Sequence, residues 1–215
     1  MKLYGYWRSS AAYRVRIALN LKGLPFEQIA VDLRTGEQGA PDFKKVNPQG
    51  LVPVLELPGG FRIAQSLAII EYLDETSPDP ALLPADPLER ARVRAIAQVL
   101  AVDVHPIQNL RVLNYLRAKL NADEEKVAAW AKHWIATGFE GFEALASNRQ
   151  TQFIGGEAAG YAECILVPQM YNARRFGVDL APFPAICELD QHCRRLKVFQ
   201  DAAPEAQPDS VPHPI

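Results

Sequence analysis

The chain has 215 residues, 48% of them hydrophobic, and its 23 basic and 25 acidic side chains leave a formal net charge of −2. This composition supports one or two compact domains and excludes a sequence-independent nucleic-acid binder, which would need a basic stripe. Three cysteines without C-x-x-C spacing argue against a disulfide framework and a zinc site, and they favour a reducing, cytoplasmic setting.

The first 76 residues alternate between strand and helix patterns. The predicted elements are a strand over Leu3–Tyr6, a helix over Ala11–Lys22, a strand over Ile29–Leu33, a short helix over Gln38–Val46, a hairpin over Val52–Ile63 and a helix over Gln65–Thr76. Glycines in Pro58-Gly59-Gly60 supply the positive φ that the hairpin turn requires. The order βαβ then ββα predicts one small mixed sheet with helices on its faces, the thioredoxin-like arrangement.

The clearest domain boundary is the stretch 77–87, whose four prolines resist helix continuation. We predict an α/β domain over residues 1–80 and an all-helical domain over residues 88–215. The predicted helices of the second domain are Leu88–Leu120, Glu124–Ser147, Ala162–Arg175 and Phe183–Leu196. From Ala203 the sequence is rich in proline and polar residues, as loose tails often are. We expect no signal peptide and no membrane span.

Ser9 and Ser10 precede the first helix at a position suited to an activated thiol. A helix start carries about half a positive charge and unpaired amides, and a serine hydroxyl can donate a hydrogen bond to sulfur. Both effects favour the thiolate, which is the nucleophilic form. Because no cysteine occurs before Cys164, the thiol would come from a cofactor. Taken alone, the pattern more often indicates a serine that caps the helix.

Two further patterns suggest what the cofactor is. Gln65 and Ser66 open a helix after the last strand, where the amides and the hydroxyl suit a carboxylate. Pro53, after the turn sequence Asn47–Leu51, cannot donate to a strand ladder and indicates a rigid turn that can hold a cis bond. The backbone there could pair with an extended peptide. A thiol activator, a peptide-pairing edge and a carboxylate socket together describe a glutathione site.

Nearly the whole chain resembles the zeta-class glutathione transferases of the maleylacetoacetate and maleylpyruvate isomerase group. The motifs that carry the resemblance are WRSSAAYRVRIALNLKG, NPQGLVP, AQSLAIIEYL, LLPADP, HPIQNLRVLNYL, LVPQMYNARRF and AAPEAQPDS. The resemblance implies the glutathione transferase fold, with a thioredoxin-like amino-terminal domain and an all-helical carboxyl-terminal domain. It also implies a homodimer that uses glutathione as its cofactor.

The resemblance further implies roles for individual residues. Ser9 matches the serine that contacts the glutathione sulfur, and Ser10 lies beside it. The other implied glutathione contacts are Gln38, Val52, Pro53, Gln65, Ser66 and Gln108. Candidates for binding the carboxylates of a small dicarboxylate substrate are Arg8, Arg111 and Arg175. Ala11 stands where the zeta motif usually has cysteine, which favours isomerisation over dehalogenation through a protein–cofactor disulfide.

The implied reaction is the glutathione-dependent cis–trans isomerisation of maleylacetoacetate or maleylpyruvate. Two alternatives stay open: glutathione transfer to α-halo acids or other small electrophiles, and a non-catalytic binding module. No metal site is expected, since Cys187, His192 and Cys193 do not converge at their helical spacing. Gly160 and Glu163 replace the residues with which the family usually caps a core helix, so we expect a weaker cap there.

Overall fold

The computed structural model describes residues 1–211, which form two compact units. The first unit comprises residues 1–82 together with residues 194–211, which we call the closing stretch, and the second is Leu83–Cys193. The closing stretch therefore differs from the expected loose tail of a helical domain over 88–215, because it belongs to the first unit. No helix within residues 1–211 is long and apolar enough to cross a bilayer.

A four-stranded mixed sheet forms the centre of the first unit. Its strands are β1 Lys2–Gly5, β2 Glu27–Ala30, β3 Val54–Glu56 and β4 Arg62–Ala64. They lie in the order β2-β1-β3-β4, with β1 parallel to β2 and antiparallel to β3, and with β3 antiparallel to β4. The predicted hairpin is the β3–β4 connection, and the thioredoxin-like βαβ–ββα order is confirmed.

The helices of the first unit include one from the closing stretch. The helices of the first unit are α1 Ser10–Leu21, α2 Pro41–Val46, α3 Ser66–Thr76 and α9 Lys197–Ala202, with 3-10 turns at Glu37–Gly39 and Pro204–Ala206. Helix α1 packs against both α3 and α9. Phe199 and Ala202 of α9 are each only 1% exposed, so burial of apolar surface holds the closing stretch in the first unit.

The ammonium group of Lys22 ties the end of α3 to the proline-rich segment that follows. Its Nζ donates to Asp74 Oδ1 at 2.5 Å. It also donates to the carbonyl oxygens of Ser77 at 2.7 Å and Pro80 at 2.6 Å. Three acceptors satisfy the three donor protons, which offsets the cost of removing this charge from water. The beginning of the predicted linker is thus an ordered part of the first unit.

The second unit is helical. Its elements are α4 Pro87–Gln98, a π-helical segment Val99–Val104, α5 Leu110–Leu120, α6 Glu124–Ala146, α7 Tyr161–Arg175 and α8 Pro184–Arg195. The single helix predicted over Leu88–Leu120 is therefore divided, since the π-helical segment and Pro106, which has no backbone N–H, interrupt it. Helix α6 packs on the π-helical segment, and a Cβ added at Gly138 would overlap Val104 Cγ2.

Glu163 supplies one half of a capping box at the start of α7. Gly160 at the N-cap has no side chain, but Glu163 Oε2 accepts the Gly160 N–H at 2.9 Å. Its other oxygen, Oε1, accepts the N–H of Ile154 at 2.9 Å. Glu163 is 1% exposed, and this burial raises the pKa of its carboxyl group. The expected weaker cap is consistent with this geometry, because Glu163 reaches back to the N-cap amide but no Gly160 side chain accepts an amide of the first turn.

Candidate functional site

The loop before α1 presents Ser9 at the start of that helix. Ser9 is the N-cap residue, with φ −69° and ψ 118°, and its Oγ accepts the N–H of Ala12 at 3.3 Å. No acceptor for its hydroxyl proton lies within residues 1–211. A hydroxyl has one donor proton and two acceptor lone pairs, so Ser9 can cap the helix and also donate to an anion. The two roles that the sequence suggested for this serine are compatible.

Ser10 and Arg8 flank this residue in different environments. Ser10 is the first residue of α1 and is buried, whereas Ser9 is half-buried. Arg8 is also half-buried, with its guanidinium carbon 5.2 Å from the centroid of the Trp7 ring. Of the two predicted serines, Ser9 is the one whose hydroxyl is more open to a ligand. Arg8 adds a positive charge to the same loop.

The turn after Asn47 brings an unpaired stretch of backbone to the start of β3. The Asn47 side chain fixes this turn, since Nδ2 donates to the carbonyl of Leu51 at 2.8 Å and Oδ1 accepts the N–H of Gln49 at 3.1 Å. The Val52–Pro53 peptide bond is cis. Neither the N–H nor the C=O of Val52 has a hydrogen-bond partner among residues 1–211. These groups are therefore open to pairing with an extended peptide.

Gln38 lies beside this turn. Gly50 has a φ of +63°, and a Cβ added there would lie 2.9 Å from the carbonyl oxygen of Gln38. Only glycine allows the two loops to approach so closely. The side-chain Oε1 of Gln38 is buried and has no partner in the part of the chain that the structure describes. A buried acceptor without a donor costs free energy, and a ligand N–H would relieve that cost.

Gln65 holds a strained backbone conformation directly before α3. Its φ of 74° with ψ 115° is rare for a residue other than glycine and costs about 1–3 kcal/mol. Its Nε2 donates to Gln49 Oε1 at 3.0 Å. Ser66 follows as the buried first residue of α3, and its Oγ accepts from Arg14 Nη1 at 3.3 Å. No side chain caps the α3 amides, which leaves them suited to a carboxylate.

Three predicted site residues lie in the second unit, and Gln108 is the buried one. Gln108 Nε2 donates to Gln169 Oε1 at 3.3 Å, and Asn172 Nδ2 donates to Gln108 Oε1 at 3.4 Å. All three side chains are buried. Gln108 is thus tied to α7, just after the π-helical segment, and the structure gives it a packing role within this unit.

The other two predicted residues of the second unit are exposed arginines. Arg111 lies in the first turn of α5. Arg175 is the last residue of α7, with its guanidinium carbon 4.9 Å from the centroid of the Phe176 ring. The adjacent Arg174 forms an ion pair with the buried Asp190. Neighbouring arginines therefore have different surroundings, since α8 holds Arg174 and an aromatic ring supports Arg175.

Known proteins resemble this chain along its full length. Residues 8–76 match the family model described as glutathione S-transferase, N-terminal domain. The chain is 50% identical to a maleylpyruvate isomerase from Ralstonia sp. over 213 residues, 98% of this chain and 100% of that protein. Its fold is similar to a holo structure of a maleylpyruvate isomerase, a bacterial zeta-class glutathione S-transferase, with a TM-score of 0.96, 49% identity and coverage of 98% and 100%. A maleylacetoacetate isomerase from Anaeromyxobacter dehalogenans 2CP-1 with bound dicarboxyethyl glutathione and citrate gives a TM-score of 0.87 and 43% identity, covering 98% and 94%.

Proposed function

This chain belongs to the zeta class of glutathione transferases, and from that premise we propose that the Ser9 loop, Val52 and the start of α3 form its glutathione site. The protein is a glutathione-dependent isomerase of the maleylacetoacetate and maleylpyruvate group. One observation carries the site: the Asn47–Leu51 turn touches both Gln38 and Gln65, and the groups around it have unused hydrogen-bonding capacity.

Each part of the proposed site would hold a different part of the cofactor. Gln65, Ser66 and the uncapped α3 amides would bind the γ-glutamyl carboxylate. The N–H and C=O of Val52 would pair with the peptide backbone, ahead of the cis bond to Pro53. The buried Oε1 of Gln38 would accept a hydrogen bond from a cofactor N–H. Gln108 remains a proposed contact, supported by its match to the family alone.

Ser9 would set the protonation state of the thiol. Its hydroxyl proton is not used within residues 1–211, and a hydrogen bond from it to sulfur stabilises the anion and lowers the thiol pKa. Bound glutathione supplies a thiolate that adds to the substrate's cis double bond and leaves again after rotation about the former double bond, giving the trans product. Ser10, buried beside Ser9, would support the loop.

The substrate would be positioned by guanidinium groups. Arg8, Arg111 and Arg175 are the proposed partners of the two substrate carboxylates, because a planar guanidinium binds a carboxylate through two hydrogen bonds. Positive charge near the substrate also stabilises the negative charge that develops on its carbonyl oxygen during thiolate addition. The same family membership supports a cytoplasmic homodimer, and a single sedimenting species of 23.8 kDa at micromolar concentration would contradict the dimer.

The activity is tested by mixing the purified protein with maleylacetoacetate or maleylpyruvate, with and without glutathione. We expect the cis-enone absorbance to disappear only when glutathione is present, and glutathione to be recovered unchanged. The absence of cofactor-dependent loss with both substrates would reject the assignment. Halide release from an α-halo acid would instead support a transferase. Ala11 and the lack of cysteine in the first 82 residues bear only on reductive dehalogenation through a protein–cofactor disulfide, because halide displacement uses the thiolate of glutathione itself.

The role of Gln65 is tested by Gln65→Ala. We expect the Michaelis constant for glutathione to rise about tenfold with a nearly unchanged kcat, because a hydrogen bond to a charged carboxylate is lost in ground state and transition state alike. Gln49→Ala is the matched control, since it removes the same Gln65–Gln49 hydrogen bond but leaves the Gln65 side chain in place. An equal rise in the control would show that the turn, rather than Gln65, binds the cofactor.

Arg175→Ala is expected to raise the Michaelis constant for the dicarboxylate about tenfold and to leave that for glutathione within about twofold. Arg174→Ala is the control on the adjacent residue, whose guanidinium is paired with Asp190. We expect this control to lower thermal stability with little effect on substrate binding. Steady-state kinetics with each ligand varied in turn separates the two, and a defect in glutathione binding alone for Arg175→Ala would contradict the proposed role.

A further inference from the structure

The peptide groups that lead into Ser9 are held by two charged residues from other parts of the first unit. The N–H of Trp7 donates to Asp209 Oδ2 at 2.9 Å, and the C=O of Trp7 accepts from Arg16 Nη2 at 2.8 Å. Trp7 is only 4% exposed, so water cannot easily replace either partner. Two residues later the N–H of Ser9 donates to the carbonyl of Tyr6 at 2.9 Å. The orientation of Trp7 therefore determines how the chain enters α1.

Both oxygens of the Asp209 carboxylate are used. Besides the Trp7 N–H, the group accepts Gln28 Nε2 through Oδ1 at 2.6 Å, which connects the closing stretch to β2. Arg16 reaches the same stretch, since its Nε donates to the carbonyl of Ala202 at 2.9 Å. Burial lowers the pKa of Arg16 to about 10, so its guanidinium stays charged at neutral pH. The closing stretch thus supplies an anion and a carbonyl that fix this loop from outside.

We propose that Asp209 is a positioning residue for catalysis: its carboxylate fixes the Trp7 amide and thereby the direction from which the Ser9 hydroxyl meets the glutathione sulfur. This inference rests on the proposed role of Ser9. Asp209 itself would touch neither cofactor nor substrate. Its effect comes from hydrogen-bond geometry, because an anion near the thiol would by itself oppose thiolate formation.

The positional effect and the charge effect of Asp209 would shift the thiol pKa in opposite directions, so an experiment can tell them apart. If Asp209 acts by position, its loss displaces Ser9 and moves thiol ionisation to higher pH. If it acts by charge alone, its loss removes a repulsion and moves thiol ionisation to lower pH. If it only stabilises the fold, thermal stability falls and thiol ionisation does not move. The ultraviolet absorbance of bound glutathione thiolate, measured against pH, distinguishes the three cases.

Two substitutions of Asp209 separate position from charge. Asp209→Ala removes both acceptors and leaves the Trp7 N–H buried without a partner. Asp209→Asn removes the charge, but its carbonyl can still accept from Trp7. Its new amide can donate to Gln28 Oε1, which is buried and has no partner within residues 1–211, after the Gln28 amide flips. We expect Asp209→Ala to lower kcat about tenfold and Asp209→Asn to stay within about twofold of the parent.

Two control variants test whether any change near the closing stretch would give the same result. Gln28→Ala removes the second partner of Asp209 without touching Trp7 and should leave thiol ionisation unchanged. Asp201→Asn changes an exposed carboxylate of α9 that pairs with Lys197 and should be silent. If Asp209→Ala does not fold, Asp209→Glu replaces it, since the longer side chain keeps the charge and displaces the oxygens. We then expect Asp209→Glu to be impaired and Asp209→Asn to be active.

Equal losses for Asp209→Ala and Asp209→Asn, with no shift of thiol ionisation to higher pH, would overturn the inference. So would an impaired Asp209→Asn beside a fully active Asp209→Glu. Ser9→Ala, measured in the same way, shows whether a negative result contradicts the inference about Asp209 or the proposed role of Ser9. If Ser9→Ala moves thiol ionisation and Asp209→Ala does not, only the inference about Asp209 fails. If Ser9→Ala itself leaves thiol ionisation unchanged, the role of Ser9 fails first.

Discussion

Replacing Ser9 with alanine is expected to lower kcat about a hundredfold and to change the Michaelis constant for glutathione by less than about threefold. The hydroxyl proton is not used within residues 1–211, so its loss removes stabilisation of the thiolate and little else from binding. Without that hydrogen bond the thiol pKa rises, and less thiolate forms at neutral pH. The rate of the variant should therefore recover partly as pH increases, which a pH–rate profile measures.

Ser9 also caps α1, so the fold needs its own control. Alanine at an N-cap costs about 1 kcal/mol of stability, whereas glycine costs only a few tenths. Ser9→Gly should therefore lose as much activity as Ser9→Ala but melt closer to the parent. If activity instead follows the melting temperature across the two variants, the serine acts through helix capping and the thiolate assignment is wrong.

Gly138→Ala is expected to destabilise the protein by about 1–2 kcal/mol. The added methyl would overlap Val104 Cγ2 at a site where α6 packs on the π-helical segment, and Val104 is buried. Forcing atoms into a packed core costs about 1–3 kcal/mol, and relaxation of the segment adds to that. The gain in helix propensity from glycine to alanine, about 1 kcal/mol, offsets only part of this cost. Urea unfolding at neutral pH measures the difference.

Val104→Ala provides a direct check of this contact. By itself it leaves a cavity and destabilises the protein, but in the double variant the methyl of the new alanine at position 138 occupies the space that the valine methyls leave. We expect the double variant to be more stable than Gly138→Ala, with a coupling energy of at least about 1 kcal/mol. Strictly additive changes, or a Gly138→Ala protein as stable as the parent, would show that the two residues do not meet.

The amino-terminal half of the fold follows closely from its sequence. Alternating apolar residues, glycines in the β3–β4 turn and amphipathic helices are local signals, and they gave the βαβ–ββα order. The position of the closing stretch depends on contacts between residues far apart in sequence, such as Trp7 and Asp209, which are 202 positions apart. From Ala203 its prolines and polar residues are typical of loose tails, so no local pattern indicated that this part would belong to the first unit.

The features of the proposed site also differ in whether local sequence signals or long-range contacts determine them. Among the residues of the proposed site, Ser9, Val52 and Ser66 could be singled out from the sequence because caps, prolines and helix starts have recognisable sequences. The positive φ of Gln65 was not, since no glycine marks it and the strain exists only when β4 and α3 hold the residue from both sides. The π-helical segment before Gln108 was also missed, because its apolar spacing resembles that of an ordinary helix.

The division of the first unit between both ends of the chain sets the order in which the protein is completed during synthesis. The ribosome makes the 111 residues of Leu83–Cys193 between the two parts, which takes about ten seconds at typical translation rates. During that interval the α1 surface that later packs on α9 meets water, and the Trp7 N–H lacks its acceptor. The second unit is continuous and has all its residues before the first does. The nascent chain thus exposes an apolar face of α1 until α9 emerges from the ribosome. During this interval the chain has the greatest need of chaperones.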